Sequence, residues 1–279
     1  LRGGLLREAG LATAVLKDGG DAPARLLKEI AAFIGPDLDR VAALGLGLPS
    51  VVSKDRRTIL QTPNIPGFDQ LPLADLAEAA FPFPTFVEKD VNLLLRHDLD
   101  ALGLLDRDPV LAFYIGTGLG NAIRIGGQFY TGARGAAGEL GHIPVWGNGV
   151  GCGCGNTGCM EMVASGKALA AHLAQAHPDC PIGEFFPRHG DSLWAQDFVR
   201  LMSMAIATEM NILDPEAAIL GGGVLQMAGF PREALVEGIR KSLRSPYPRE
   251  SALLVFAAES RNPGVLGALA YARDRLGLG

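Results

Sequence analysis

In the segment GELGHIPVWGNGVGCGCGNTGCME, His142 is followed after nine residues by Cys152, and then by Cys154 and Cys159. Three thiolates and an imidazole are the donor set that tetrahedral zinc prefers, and a site filled entirely by protein ligands is structural in kind. Glycines between the ligands let the chain wrap an ion. Cysteines this close in sequence rarely reach one another as disulfides. Zn2+ on His142, Cys152, Cys154 and Cys159 is therefore the expectation. Ordinary buried thiols are the alternative, but the segment is too polar and glycine-rich for a core strand. Metallation of one His142 nitrogen would leave the other free to donate to a ligand. Cys180 stands outside the cluster.

Carboxylates supply the second kind of chemistry. Asp90 falls at a strand-to-helix junction, where it suits either a helix cap or a general base for an alcohol. Glu139 and Glu161 flank the metal ligands. They read either as acceptors for hydroxyl donors or as solvated surface charge. Glycine clusters at GTGLGN (116–121) and at Gly221, Gly222 and Gly223 are turns of the kind that bring backbone N–H groups to phosphate oxygens, or plain turns. The first departs from G-x-G-x-x-G, since Asn121 takes the sixth place and a strand follows. The sequence has no Gly-Lys-Ser/Thr phosphate loop.

These residues need elements to hold them. LRGGLLREAGLATAVLKD reads as two short strands with a turn near Glu8–Gly10. Pro23 opens an amphipathic helix through Leu26, Leu27, Ile30, Phe33 and Ile34, stopped at Gly35-Pro36. VAALGLGLP is a strand entering a glycine loop. A short helix carries Leu73, Leu76 and Ala80, FVEK is a strand, and VNLLLRHDLDALG is a helix. The pattern restarts at Pro109 with VLAFYIG, TGLG and NAIRI, then Gly126-Gly127 as a type I′ hairpin turn into QFYTG. A long helix spans Ser192 to Asn211, AAIL is a strand, and Asn262 to Leu278 forms a last helix. The domain change is expected near 104–109. The resulting lobes are 1–106 plus 263–279, and 107–262.

The 279 residues, 48% hydrophobic, suffice for a sizeable core. Thirty acidic against 25 basic residues give a net charge of −5, which disfavours nucleic acid and anionic membranes as partners. No mainly apolar run approaches the roughly 20 residues that span a bilayer, and Glu8 interrupts any signal-peptide core. The expectation is a soluble, cytoplasmic protein that binds neither nucleic acid nor membrane.

Taken together, GTGLG, GARGAAGELGH, CGCGNTGCME, LGLGLP and AAILGGGV resemble the ROK family of sugar kinases and sugar-sensing repressors. VVSKDRRTILQTPNIPGF and KDVNLLL resemble, within that family, the bacterial D-allose kinases. The resemblance implies an α/β fold of the actin-like ATPase (ribonuclease H-like) type, with two α/β lobes and a cleft between them. It implies transfer of the γ-phosphoryl group of ATP, with Mg2+, to the primary hydroxyl of a hexose, D-allose first. Asp90 matches the catalytic base. Asn64, Lys89, Glu139, His142 and Glu161 match sugar-binding positions. Gly116, Thr117, Gly118 and Gly120 match a phosphate-binding hairpin, and Gly221 to Gly223 a turn near adenosine. A homodimer is also implied.

Two departures qualify the match. Family members open with an Asp-x-Gly-Gly-Thr strand and phosphate loop, and this sequence begins at LRGGLL, just beyond that point. Many family sugar kinases also carry Asn before the catalytic Asp, where this chain has Lys89, so a glucose preference is put in doubt. The competing readings are a kinase for glucose, fructose or N-acetylmannosamine, and a non-enzymatic sugar-sensing protein of the repressor type. A zinc hydrolase fits least, since no open pattern of two His and a carboxylate is present.

Overall fold

A computed structural model describes residues 7–16, 20–62 and 65–278. The chain divides into two compact units, Leu1–His97 with Gly132–Ala136 and Ser260–Gly279, and Asp98–Thr131 with Ala137–Glu259. The main crossings, at 97/98 and 259/260, lie inside the helix that follows FVEK and a few residues before the last helix.

In the first unit, Asp21 caps α1 (Ala22–Ile34), its Oδ1 accepting the Ala24 N–H at 3.0 Å, and Pro23 sits in the first turn. Phe33, placed on the apolar face by the sequence pattern, is 40% exposed and lies under the Arg7 guanidinium. The strands β1 (Leu44–Leu48), β2 (Val51–Val52) and β3 (Ile59–Gln61) precede α2 (Leu73–Ala80) and β4 (Thr85–Lys89). β1 and β4 pair in parallel, with Leu48 opposite Lys89, and β2 pairs antiparallel with β3. Val52, Ile59, Phe68, Leu73, Ala74 and Val87 form the core. From β4 the chain enters α3 (Asp90–Ala101) with no intervening loop.

The two opening strands are not found among the described residues. Thr13–Leu16 form a 3-10 turn and residues 7–12 are irregular and exposed; residues 1–6 and 17–19 lie outside the described residues. Alternation yields a strand only where a neighbour completes its hydrogen bonds.

The second unit is built on a five-stranded sheet. Its strands are β5 (Val110–Ile115), β6 (Leu119–Ile125), β7 (Gln128–Phe129), β8 (Ala217–Gly221) and β9 (Leu253–Phe256), in the order β7-β6-β5-β8-β9. β5, β8 and β9 run parallel, β6 pairs antiparallel with β5, and β7 pairs antiparallel with β6. All six residues of β5 are buried, as its unbroken apolar run requires for a strand covered on both faces. Gly126 and Gly127 both have positive φ, +62° and +71°, as a type I′ turn demands. The helices are α4 (Gly166–Ala176), α5 (Phe185–His189), α6 (Leu193–Leu213) and α7 (Arg232–Ser242), while α8 (Pro263–Arg275) belongs to the first unit. Ser165 caps α4 and Ser192 caps α6. Buried Asp98 accepts from the Tyr114 hydroxyl at 2.8 Å and from the Ala258 N–H at 3.2 Å. Burial, and then the Asp98 charge, raise the Tyr114 hydroxyl well above its ordinary range, so it remains a donor. Among the described residues no helix is long and apolar enough to cross a membrane.

Where α4, α5 and α6 meet, His172 stacks on Trp194 at 4.0 Å between centroids, and His177 stacks on His189 at 3.8 Å. Removal from water, then neighbouring His177, lowers the affinity of His172 and of His189 for protons. The unfolded chain therefore binds more protons than the native one near and below pH 6.5, so this contribution to stability is complete above that pH and lost as pH falls through it. Urea midpoints should drop between pH 7.5 and 5.5, and the drop should be smaller in His172→Phe; an equal drop in both proteins would remove the histidines as its cause.

Candidate active site and metal cluster

The segment carrying His142 and the three cysteines folds back on itself through paired backbone bonds. Met160 N–H donates to Ile143 O at 2.9 Å, Val145 N–H to Gly158 O at 2.8 Å, and Cys152 N–H to Asn156 O at 2.8 Å. These bonds bring the donor atoms of His142, Cys152, Cys154 and Cys159 within 4.8 Å of one another. Cys152 Sγ lies 3.6 Å from His142 Nδ1, and Cys154 Sγ 3.6 Å from Cys159 Sγ. A tetrahedral ion with metal–sulfur bonds of about 2.3 Å has ligand–ligand edges of about 3.8 Å, so the four residues fit such an ion. Burial, then the neighbouring thiols Cys154 and Cys152, push the Cys159 thiol up to about 12. The backbone at Asn156 instead lowers Cys154. Crowded thiols hold their protons unless a cation replaces them.

Two carboxylates border this cluster. Glu139 Oε2 lies 3.6 Å from His142 Nε2, the ring nitrogen turned away from the thiols. Glu161, two residues beyond Cys159, accepts the Leu119 N–H on Oε2 at 3.1 Å and the Lys167 ammonium on Oε1 at 3.2 Å. Each oxygen keeps a further lone pair for a hydroxyl. Lys167 carries no distinctive sequence signal; its place in the first turn of α4, six residues after Glu161, is the only one.

Leu119 opens β6, and the loop before it is the hairpin Gly116-Thr117-Gly118, closed by a Gly116 N–H bond to Gly118 O at 3.0 Å. The first N–H groups of α4 clamp it from below. Gly166 donates to Gly116 O at 2.8 Å and Lys167 to Thr117 O at 2.9 Å. Among the described residues the N–H groups of Thr117 and Gly118 have no backbone partner. Gly120 pairs with Tyr114 within the sheet. The second glycine cluster lies beside the first. Gly221 ends β8, Gly222 turns with φ +96°, and Val224 donates to Ile115 O at 2.9 Å, immediately before the hairpin; Gly223 lies between them. Both glycine motifs thus sit at the carboxyl ends of the parallel strands β5 and β8, where α/β sheets bind ligands.

In the first unit Asp90 begins α3 straight after β4, and its Oδ1 accepts the Val91 N–H at 2.8 Å. A helix cap bonds the second or third N–H of the helix, so this bond is not the usual cap. Half-buried Lys89 ends β4. Asn64 lies outside the described residues. Sequence reasoning passed over Glu88, a charged residue within the buried run of β4, and Arg56, which bonds to it at 2.8 Å.

The parallel-stranded α/β units, with glycine turns at the strand ends of the second, are those of the actin-like ATPase fold. The ROK family profile matches residues 17–275, and the chain belongs to the ROK family. A glucokinase from Thermotoga maritima is 27% identical over 265 residues, 86% of this chain and 82% of the relative. A putative xylose repressor from Caldicellulosiruptor sp. is 34% identical over 237 residues, 77% of this chain and 58% of the repressor. Among solved structures, a ROK family glucokinase from Streptomyces griseus in complex with glucose and AMPPNP has a TM-score of 0.76 at 30% identity, covering 90% of this chain and 88% of that one.

A Cβ on Gly118 would overlap the Glu161 carboxylate. Gly118→Ala should therefore break the Glu161 bonds to Leu119 and Lys167 and destabilise the protein by about 1–3 kcal/mol. Urea denaturation measures this, and wild-type stability would mean that the hairpin and Glu161 are not in contact.

Proposed function

We propose that this chain is an ATP-dependent hexose kinase acting on the primary hydroxyl of its sugar, with D-allose as the acceptor. The observation that carries the reading is the contact of Glu161 with the 116–118 hairpin. It puts a carboxylate suited to sugar hydroxyls against a backbone turn suited to phosphate, two residues from a metal ligand.

In this reading Glu139, Glu161 and His142 Nε2 hold sugar hydroxyls, with Asn64 and Lys89 as further contacts. A site built to pair hydroxyls rejects epimers that leave one of its buried groups unpaired. The N–H groups of the hairpin and the Gly221–Gly223 turn orient the nucleotide, and Mg2+ bound with it would supply charge neutralisation. Asp90 accepts the proton of the hydroxyl as its oxygen bonds to the γ-phosphorus. The bond from that phosphorus to the β–γ bridging oxygen breaks, and ADP departs. Lys89 favours a sugar other than glucose, because an ammonium only donates where an asparagine amide both donates and accepts. Zn2+ held by His142, Cys152, Cys154 and Cys159 supplies structural cross-linking. Those four residues then keep Glu139 and Glu161 at a set spacing.

The likeness to a putative xylose repressor favours a second reading, a sugar-sensing protein without turnover. ADP release by the full-length protein across aldohexose epimers and aminosugars separates the two. The kinase reading expects turnover, fastest with D-allose, whereas sugar binding without ADP release on any of them leaves the sensor. Asp90→Asn should lower turnover at least about a hundredfold with sugar binding retained, and wild-type turnover would remove Asp90 from the chemistry. Gently purified protein should carry about one zinc per chain, and chelation should lower its thermal midpoint. A metal content near zero counts against the zinc site.

A further inference from the structure

The first unit buries a charge that the proposed chemistry leaves unused. Glu88 is 5% exposed. Its Oε1 accepts from three donors: Arg56 Nη1 at 2.8 Å, Asn92 Nδ2 at 2.9 Å and the Lys89 N–H at 2.8 Å. Two of these donors bracket Asp90 in the chain, Lys89 just before it and Asn92 two residues after it. The third arrives from the loop between β2 and β3, where Arg56 sits at φ +62° with its N–H bonded to Ser53 O at 2.9 Å. Its side chain is only 14% exposed.

Stability alone is a poor reason for this arrangement. Burying an ion pair costs about as much as it returns, and apolar residues of similar volume often serve as well or better. Holding a non-glycine residue in the left-handed region adds backbone strain, and such strain collects where geometry matters. What the cluster does is local. One carboxylate oxygen ties the residue before Asp90 and the first turn after it to a single point, and ties that point to a neighbouring loop.

We propose that Glu88 is a positioning residue that fixes the β4–α3 turn so that the Asp90 carboxylate meets the acceptor hydroxyl, with Arg56 as the counter-charge that holds the Glu88 carboxylate in place. This rests on Asp90 being the base of the reaction proposed above. Glu88 acts through Asp90 and touches no substrate. Misplacing a reacting group by about 1 Å costs up to about a hundredfold in rate, whereas the sugar contacts proposed at Glu139, His142 and Glu161 are spared.

The test is a set of variants of the full-length kinase, each assayed for ADP release with the preferred hexose and for its urea midpoint. Glu88→Gln should lower kcat about tenfold or more with the sugar KM within about threefold of wild type. In an Asp90→Asn background the same substitution should change the residual kcat by less than about twofold, since a residue acting through Asp90 has nothing left to act on. Arg56→Lys, which keeps the charge, should retain more turnover than Arg56→Gln. Should Glu88→Gln fail to fold, Asn92→Ala removes one of the three straps, and its loss of kcat should vanish in the Asp90→Asn background in the same way. Equal effects with and without Asp90, or parallel changes in kcat, KM and urea midpoint, overturn the positioning role and leave a structural one. Full turnover in Asp90→Asn alone overturns the base assignment and the positioning role together. A large loss in Asp90→Asn beside an indifferent Glu88→Gln overturns only the latter.

Discussion

Glu161 holds one carboxylate oxygen against the Leu119 N–H and the other against the Lys167 ammonium, and the packing of three segments of the second unit is organised around those two bonds. A largely buried carboxylate is tolerated only where donors meet it. Satisfying this one draws three elements to a common point: the β5–β6 hairpin, the first turn of α4, and the chain leaving Cys159. The α4 N–H groups that bond Gly116 O and Thr117 O complete the same clamp from the backbone side. Glycine at 118 follows directly, because any side chain there would occupy the space of the carboxylate.

The same constraint shapes the first unit. Glu88 lies in a strand whose neighbours are buried, so its charge requires partners, and the partners within reach are the residues around Asp90 and Arg56 of the β2–β3 loop. In both units, then, a buried carboxylate gathers chain segments that would otherwise be independent turns. The cluster of His142 with the three cysteines applies the rule to thiols. Four donors crowded within 4.8 Å could hold a cation.

Much of this was legible from residue order, and the reason is range. His142, Cys152, Cys154 and Cys159 lie within 18 residues of one another, and glycine-rich backbone between them leaves few other ways to use them. The alternation and apolar runs of β1, β4, β5 and β8, and the 3.6 period of α3 and α6, mark elements whose partners need not be known to be inferred. The opening segment shows the opposite case. It reads as two short strands about a turn, yet Thr13–Leu16 turn as a 3-10 helix and residues 7–12 stay irregular.

Local order thus determined several of the helices and strands, where the glycine turns fall, and which four side chains share a metal-like cluster, because each depends on neighbours a few residues away. Tertiary structure alone decided that Glu161 meets a hairpin 42 residues earlier, that Glu88 reaches Arg56 in another loop, and that the Gly221–Gly223 turn lies against the end of β5. Those contacts are set by sheet order and by the cost of an unpartnered buried charge, and neither has a period or a spacing that a linear sequence displays.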